Sequence, residues 1–106
     1  MQIEVSAATI DFMKIQRTES GDRGRFYIEE NGERLALMTY SKAGEDKIII
    51  DHTEVDASLK GEGIGKDLVA EGVKYARENS LKIIPQCSFA KAEFEKHSEY
   101  ADVLAF

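Results

Sequence analysis

The sequence predicts one α/β domain, an α+β fold built on a mixed sheet with the element order β-β-β-β-α-β-α. Three observations carry that expectation. Asn31-Gly32 separates two runs of strand-forming residues, and Lys47 to Val55 is dense in β-branched side chains. From Ile64 onward the hydrophobic period then lengthens to the roughly 3.6 residues of a helix.

Taken in order, Phe12 to Thr18 reads as a first strand, followed by the loop Ser20-Gly21-Asp22-Arg23-Gly24. Arg25 to Glu30 and Glu33 to Tyr40 flank Asn31-Gly32, two residues that accept positive φ and therefore suit a tight type I′ hairpin turn. The polar segment Ser41 to Asp46 leads into Lys47 to Val55, whose Ile48-Ile49-Ile50 suits a central strand. Ile64, Leu68, Val69, Gly72, Val73 and Ala76 share one helical face, with Lys66, Asp67, Glu71, Lys74 and Glu78 on the others, and the helix ends near Asn79-Ser80. Leu81 to Ile84 is a short strand stopped by Pro85, and Ser88 is placed to cap a last helix through Phe89, Ala90, Phe94 and His97. Strand, helix and strand in succession imply a right-handed crossover and a parallel pair, which makes the sheet mixed.

Composition narrows the function. The 106 residues suit a single domain over 1–106, and 42% hydrophobic with 32% charged residues describes a soluble globular chain. Lys+Arg 14 against Asp+Glu 20 leaves a net charge of −6, which opposes general affinity for nucleic acid or an anionic membrane and favours a cationic or amine partner. Cys87 is the one cysteine, so no internal disulfide forms and a reducing compartment is expected. Met1 to Ile10 lacks the basic and apolar regions of a secretory signal, and Ile48-Ile49-Ile50 is far shorter than the ~20 apolar residues of a membrane span; the expected location is cytoplasmic. His52, Cys87 and His97 are too dispersed to read as metal ligands, and no metal is expected. Lys91, Glu93, Glu95 and Lys96 read as a solvated helix face.

The most specific segment is Lys60-Gly61-Glu62-Gly63-Ile64-Gly65-Lys66, between a strand and the helix it opens. Glycines admit close backbone approach and a helix N-terminus attracts anions, so a phosphate cradle is expected. The P-loop spacing fails, because three residues separate Gly61 from Gly65 and Asp67 follows Lys66; the dinucleotide fingerprint fails on the even spacing of Gly61, Gly63 and Gly65. The pattern [Arg/Gln]-x-x-Gly-x-[Gly/Ala] fits, with Lys60, Gly63 and Gly65 in its places. With Asp51-His52-Thr53-Glu54-Val55 and Pro85-Gln86-Cys87-Ser88 leading to Ala90 and Tyr100, the chain from Arg25 to Tyr100 resembles the GNAT superfamily of N-acetyltransferases, in particular its short members. Lys60 departs from the pattern; it keeps the charge and loses the planar fork of arginine.

That resemblance implies a GNAT-like acetyl-CoA-binding domain with diverging central strands, and acetyl-CoA (coenzyme A) as acyl donor. Lys60, Gly61, Glu62, Gly63, Ile64, Gly65 and Lys66 would hold its pyrophosphate, while the backbone of Thr53 and Val55 would pair with pantetheine. The acceptor would be an amine on a small molecule or a protein. His52 and Glu54, on one face of their strand, are candidate bases or plain structural side chains. Many members carry Asn-x-x-Ala-x-x-x-Tyr; Cys87, Ala90 and Phe94 stand at those places here, and a phenyl ring donates no proton. Ahead of a helix, where a dipole lowers a thiol pKa, Cys87 has three open roles: nucleophile, polar group beside the thioester, or inert residue. Direct amine attack is favoured over an acyl intermediate on Cys87. The alternative is a coenzyme-binding or protein-interaction module with little or no catalysis. The sequence names neither the acceptor nor an oligomeric state.

Overall fold

A computed structural model of the chain describes residues 14–105. Strands β1 (Gln16–Ser20), β2 (Arg23–Glu30), β3 (Glu33–Lys42) and β4 (Lys47–Val55) precede a 3-10 turn (Ala57–Leu59) and helix α1 (Ile64–Glu78); β5 (Lys82–Pro85), α2 (Ser88–Lys96) and a second 3-10 turn (Ser98–Val103) follow. The sheet order is β1-β2-β3-β4-β5, antiparallel throughout except for the parallel pair β4 and β5, as the crossover through α1 requires. No helix of the described residues is long and apolar enough to cross a membrane.

The hairpin at Asn31-Gly32 forms as expected, with φ of 53° and 80° at its two residues. Lys47–Val55 is the strand the β-branched run predicts, and the α1 boundaries match the change of period. Several boundaries differ. β3 runs on to Lys42, two residues into the expected loop Ser41 to Asp46, because Ser41 pairs with Ile49 and Lys42 with Ile48, and α2 ends at Lys96 rather than running through His97. The first strand begins at Gln16 and runs to Ser20, so the part of Phe12 to Thr18 at residues 12 and 13 lies outside the described residues. The expected loop from Ser20 to Gly24 shrinks to a two-residue turn, because Ser20 pairs with Arg23 and Glu19 with Gly24. β5 starts at Lys82 and includes Pro85, a residue tolerable there because the pairing ends with it. Cys87, rather than Ser88, caps α2: its backbone is extended, and its Sγ accepts the Ala90 N–H at 3.4 Å.

The core lies between the sheet and α1. Phe26, Ile28, Met38, Ile48, Ile50 and Ile83 face Leu68, Val69, Val73 and Ala76 of the helix, all buried. Each large aliphatic side chain so buried contributes roughly 1.5 to 3 kcal/mol. Ala90, Glu93 and Phe94 form the inward face of α2, so Glu93 belongs to the buried side and not to the solvated face expected for it. The spacing of 90, 93 and 94 is that of one helical stripe, which carries the carboxylate inward with its apolar neighbours.

Away from the α2 end, a polar cluster ties β1 to β3 and α1. Tyr40 is fully buried; its Oη donates to Glu19 Oε1 (2.7 Å) and accepts from Arg17 Nη1 (2.8 Å). Lys42 Nζ lies 2.6 Å from Glu19 Oε2, and the Arg17 guanidinium stacks 4.2 Å from the Tyr75 ring centre. Hydrogen bonds from Lys42 and then Tyr40 hold the Glu19 carboxyl at about 2, and burial is the main cause raising the Tyr40 phenol.

Two outcomes follow from this packing. A Cβ on Gly24 would lie 2.3 Å from Tyr40 Cζ, and the ring is pinned by its hydrogen bonds, so Gly24→Ala should destabilise the fold by about 1 to 3 kcal/mol in chemical denaturation. The Glu19 carboxyl has its pKa lowered from 4.5 to about 2 on folding, so its stabilisation is whole above about pH 4.5 and is lost as the pH falls toward 2. Glu19→Gln should flatten the pH dependence of the unfolding midpoint across that window; a slope equal to the wild type's would exclude Glu19 as its source.

Candidate active site

The site begins with a bulge in β4. Thr39 faces His52 while Tyr40 faces Ile50, so Asp51 is the extra residue. Its carboxylate accepts hydrogen bonds from Thr39 Oγ1 and from Ser41 Oγ (2.8 Å), with Arg23 Nη2 at 3.8 Å. β5 pairs with β4 only from Lys47 to Ile50, and the N–H groups of Gln86 and Cys87 both donate to the Ile50 carbonyl (3.0 and 3.1 Å). Past Ile50, β4 keeps β3 on one side and has no strand on the other among the described residues.

Beyond β4 the Asp56 carboxylate caps the 3-10 turn by accepting the Ser58 N–H (3.0 Å) and Oγ (2.6 Å), and buried Leu59 anchors the turn. The chain then passes through Gly61 (φ 87°) and Gly63 (φ 76°), left-handed positions that suit glycine, and a Cβ on either would meet nothing within 4 Å. Asp67 N–H makes a bond to the Gly63 carbonyl (3.0 Å), so the amides of Ile64, Gly65 and Lys66 emerge from the end of α1 without helical acceptors. Open space, free amides and the positive end of a helix dipole together suit a phosphate.

A cavity of about 630 Å³ joins these parts. Thr53, Glu54 and Val55 line it from β4; Lys60, Gly61, Gly63, Ile64, Gly65 and Lys66 line it from the loop and first turn of α1. Of the residues expected to hold the coenzyme, only Glu62 does not line it. Cys87 and His52 stand outside the lining. Half-buried Cys87 adjoins it, with Sγ 3.4 Å from Thr53 Oγ1. His52 Nε2 lies 2.8 Å from Glu54 Oε2, both side chains exposed, so the two do share a strand face and meet as a pair. Phe94, at the place of the tyrosine, is buried with its ring edge-on to Tyr100 at 5.5 Å.

Two lining residues, Phe89 and Glu93 of α2, were not among those expected. Their separation of four residues places them on one helix face, a signal present in the sequence but masked by reading 91 to 96 as a solvated run.

A family model described as GCN5-related N-acetyl-transferase matches residues 25–103. The NMR solution structure of a GCN5-like candidate N-acetyltransferase from Staphylococcus aureus matches with a TM-score of 0.68 at 42% identity, over 87% of this chain and 87% of that one. The fold is also shared with a GNAT family acetyltransferase from Elizabethkingia anophelis crystallised with acetyl-CoA (TM-score 0.61, 13% identity, 81% of this chain and 74% of that one). Tetrahymena GCN5 shares it as well (TM-score 0.59, 14% identity, 73% of this chain and 51% of that one). No curated protein matches the chain. The family match runs from β2 to the last 3-10 turn, over the strands, loop and helices that build the cavity, and the chain belongs to the GCN5-related N-acetyltransferase family.

Proposed function

We propose that this protein is an N-acetyltransferase that moves an acetyl group from acetyl-CoA to an amine, and that its chain works as one acetyl-CoA-binding domain. The observation that carries the reading is one cavity that contains both the free amides at the start of α1 and the strand edge of β4 left open by β5. Acetyl-CoA supplies a thioester carbonyl reactive toward amines. The amides of Ile64, Gly65 and Lys66, with the Lys60 and Lys66 ammonium groups, are suited to its pyrophosphate, and the open backbone of Thr53 and Val55 to its pantetheine amides. Thr53 and Cys87, in contact through their side chains, stand at the reactive end.

A lysine-like amine costs about 4 to 5 kcal/mol to deprotonate at pH 7, so a proton acceptor at the mouth accelerates attack. The His52–Glu54 pair is placed to serve, the carboxylate lining the cavity and the imidazole sharing its charge. The phenyl ring of Phe94 gives no proton to the departing sulfur. Direct attack by the amine is the favoured route, with Cys87 a polar neighbour. The net charge of −6 supports an amine acceptor, small molecule or protein, over nucleic acid, and a lone cysteine beside a coenzyme thioester suits the cytoplasm. Phe94 also favours a second reading, a coenzyme-binding module with little catalysis; coenzyme binding without turnover in a screen of amines would select it.

Two measurements test the site. Aspartate tolerates a left-handed backbone and its Cβ meets no protein atom at position 63, so Gly63→Asp should keep the circular dichroism spectrum while weakening coenzyme A binding at least about tenfold. Unchanged affinity would remove the loop from the phosphate site. Saturating coenzyme A should slow alkylation of Cys87, and Cys87→Ala, which removes the polar group that meets Thr53, should keep most coenzyme affinity while slowing acetyl transfer. Equal alkylation rates with and without coenzyme would place Cys87 outside the site.

A further inference from the structure

The face of the sheet turned away from α1 carries its charges in order. The side toward α1 holds Phe26, Met38, Tyr40 and Ile50, all buried, and the alternation of strand side chains turns Arg25 and Thr39 to the other side. Residues directly opposite one another in an antiparallel ladder share a face. Thr18 pairs with Arg25, Arg25 with Thr39 and Thr39 with His52, so these four stand in one row across β1, β2, β3 and β4.

At the β4 end of the row His52 meets Glu54. At the β2 end a cavity of about 290 Å³ is lined by Arg23, Arg25, Thr18, Ser20 and Thr39 together with Glu19. Glu19 does not neutralise the two arginines, because its carboxylate is already engaged by Lys42, Tyr40 and Arg17. Arg25 enters no ion pair among the described residues, and its guanidinium lies over the Tyr27 ring, 5.3 Å from the centre. Arg23 reaches Asp51 only at 3.8 Å, with a side chain 71% exposed, and Asp51 is itself held by the hydroxyls of Thr39 and Ser41. The cavity is therefore cationic and rimmed with hydroxyls, while the β4 end is suited to an amine.

We propose that this cavity is the subsite for a carboxylate carried by the acceptor, received by Arg25 and Arg23 while the acceptor's amine lies at His52 and Glu54. The assignment rests on the reading of the chain as an amine acetyltransferase. Adjacent strands lie about 4.8 Å apart, so an acceptor spanning β2 to β4 holds its two charges about 10 Å from each other. A guanidinium matches a carboxylate through two parallel N–H donors. The overall charge of −6 draws an amine and repels a carboxylate, so an acceptor with both needs a local cationic cavity for the second. The way to the thioester is open: past Ile50 no strand flanks β4 on its β5 side among the described residues, and Glu54 lines the coenzyme cavity while its partner His52 stands in the row.

The test uses 8-aminooctanoate, whose amine and carboxylate lie about 10 Å apart when extended, and 4-aminobutanoate, in which they lie about 5 Å apart. Each acid and its uncharged carboxamide is titrated calorimetrically into the protein saturated with coenzyme A. The wild type should bind 8-aminooctanoate about fivefold more tightly than 8-aminooctanamide, whereas the four-carbon pair should differ by less than about twofold. Arg25→Gln, on the exposed side of β2, should bring the eight-carbon ratio below about twofold through lost affinity for the acid, and kcat/KM for acetyl transfer should follow the same ratios. The length comparison in the wild type stands without any variant. Equal affinity of the eight-carbon pair for the wild type, the same preference at both lengths, or a preference undiminished in Arg25→Gln would overturn the subsite, with transfer to the carboxamide still supporting the acetyltransferase reading. Coenzyme A binding without transfer to any amine would remove that reading and the subsite together.

Discussion

The parting of β4 from β5 at Ile50 and Pro85 is the constraint on which the site depends. Proline offers no amide to a ladder, and the Ile50 carbonyl is already occupied by the N–H groups of Gln86 and Cys87, so parallel pairing stops there. On the other side of β4, the extra residue Asp51 is held by the hydroxyls of Thr39 and Ser41, which stabilises the bulge against being drawn into regular register. A strand bent on one side and released on the other leaves Thr53 to Val55 with an open backbone. The cavity, the position of Cys87 and the entry to α1 are all consequences of that release.

An acidic protein that binds a polyanion resolves the apparent conflict locally. Screening limits the reach of surface charge to about 8 Å at physiological salt, so the overall charge of −6 matters less inside the cavity than Lys60, Lys66 and three emerging amides. The acidic groups at the cavity have different surroundings. Glu54 is exposed and paired with His52, whereas Glu93 is buried near His97 and Lys96. The anion site and the carboxylates therefore coexist without one cancelling the other.

The stability of the fold is concentrated elsewhere. The Tyr40, Glu19, Arg17, Lys42 and Tyr75 cluster joins β1, β3 and α1, and the aliphatic layer beneath α1 fills the centre of the sheet. The cavity is borne by loop and helix termini whose backbone groups are deliberately unpaired, a division in which a rigid sheet supports a less saturated site.

Local chemistry made most of the architecture legible in the sequence by itself. Asn31-Gly32 determines a turn because both residues accept positive φ, Ile48 to Ile50 determine a strand because β-branching suits the pleat, and the spacing from Ile64 to Ala76 determines a helix because it aligns one apolar face. The glycine loop was legible for the same reason, its left-handed backbone positions at Gly61 and Gly63 lying within one short segment. Tertiary structure alone decided which distant side chains meet. Cys87 touches Thr53 across 34 residues of chain, and Phe89 reaches Gly65 of another helix. Glu93 is buried despite sitting in a charged run, because the rotation of α2 against the sheet is set by Ala90 and Phe94 seeking the core and carries the carboxylate in with them; periodicity names a face, and only packing selects which way it turns.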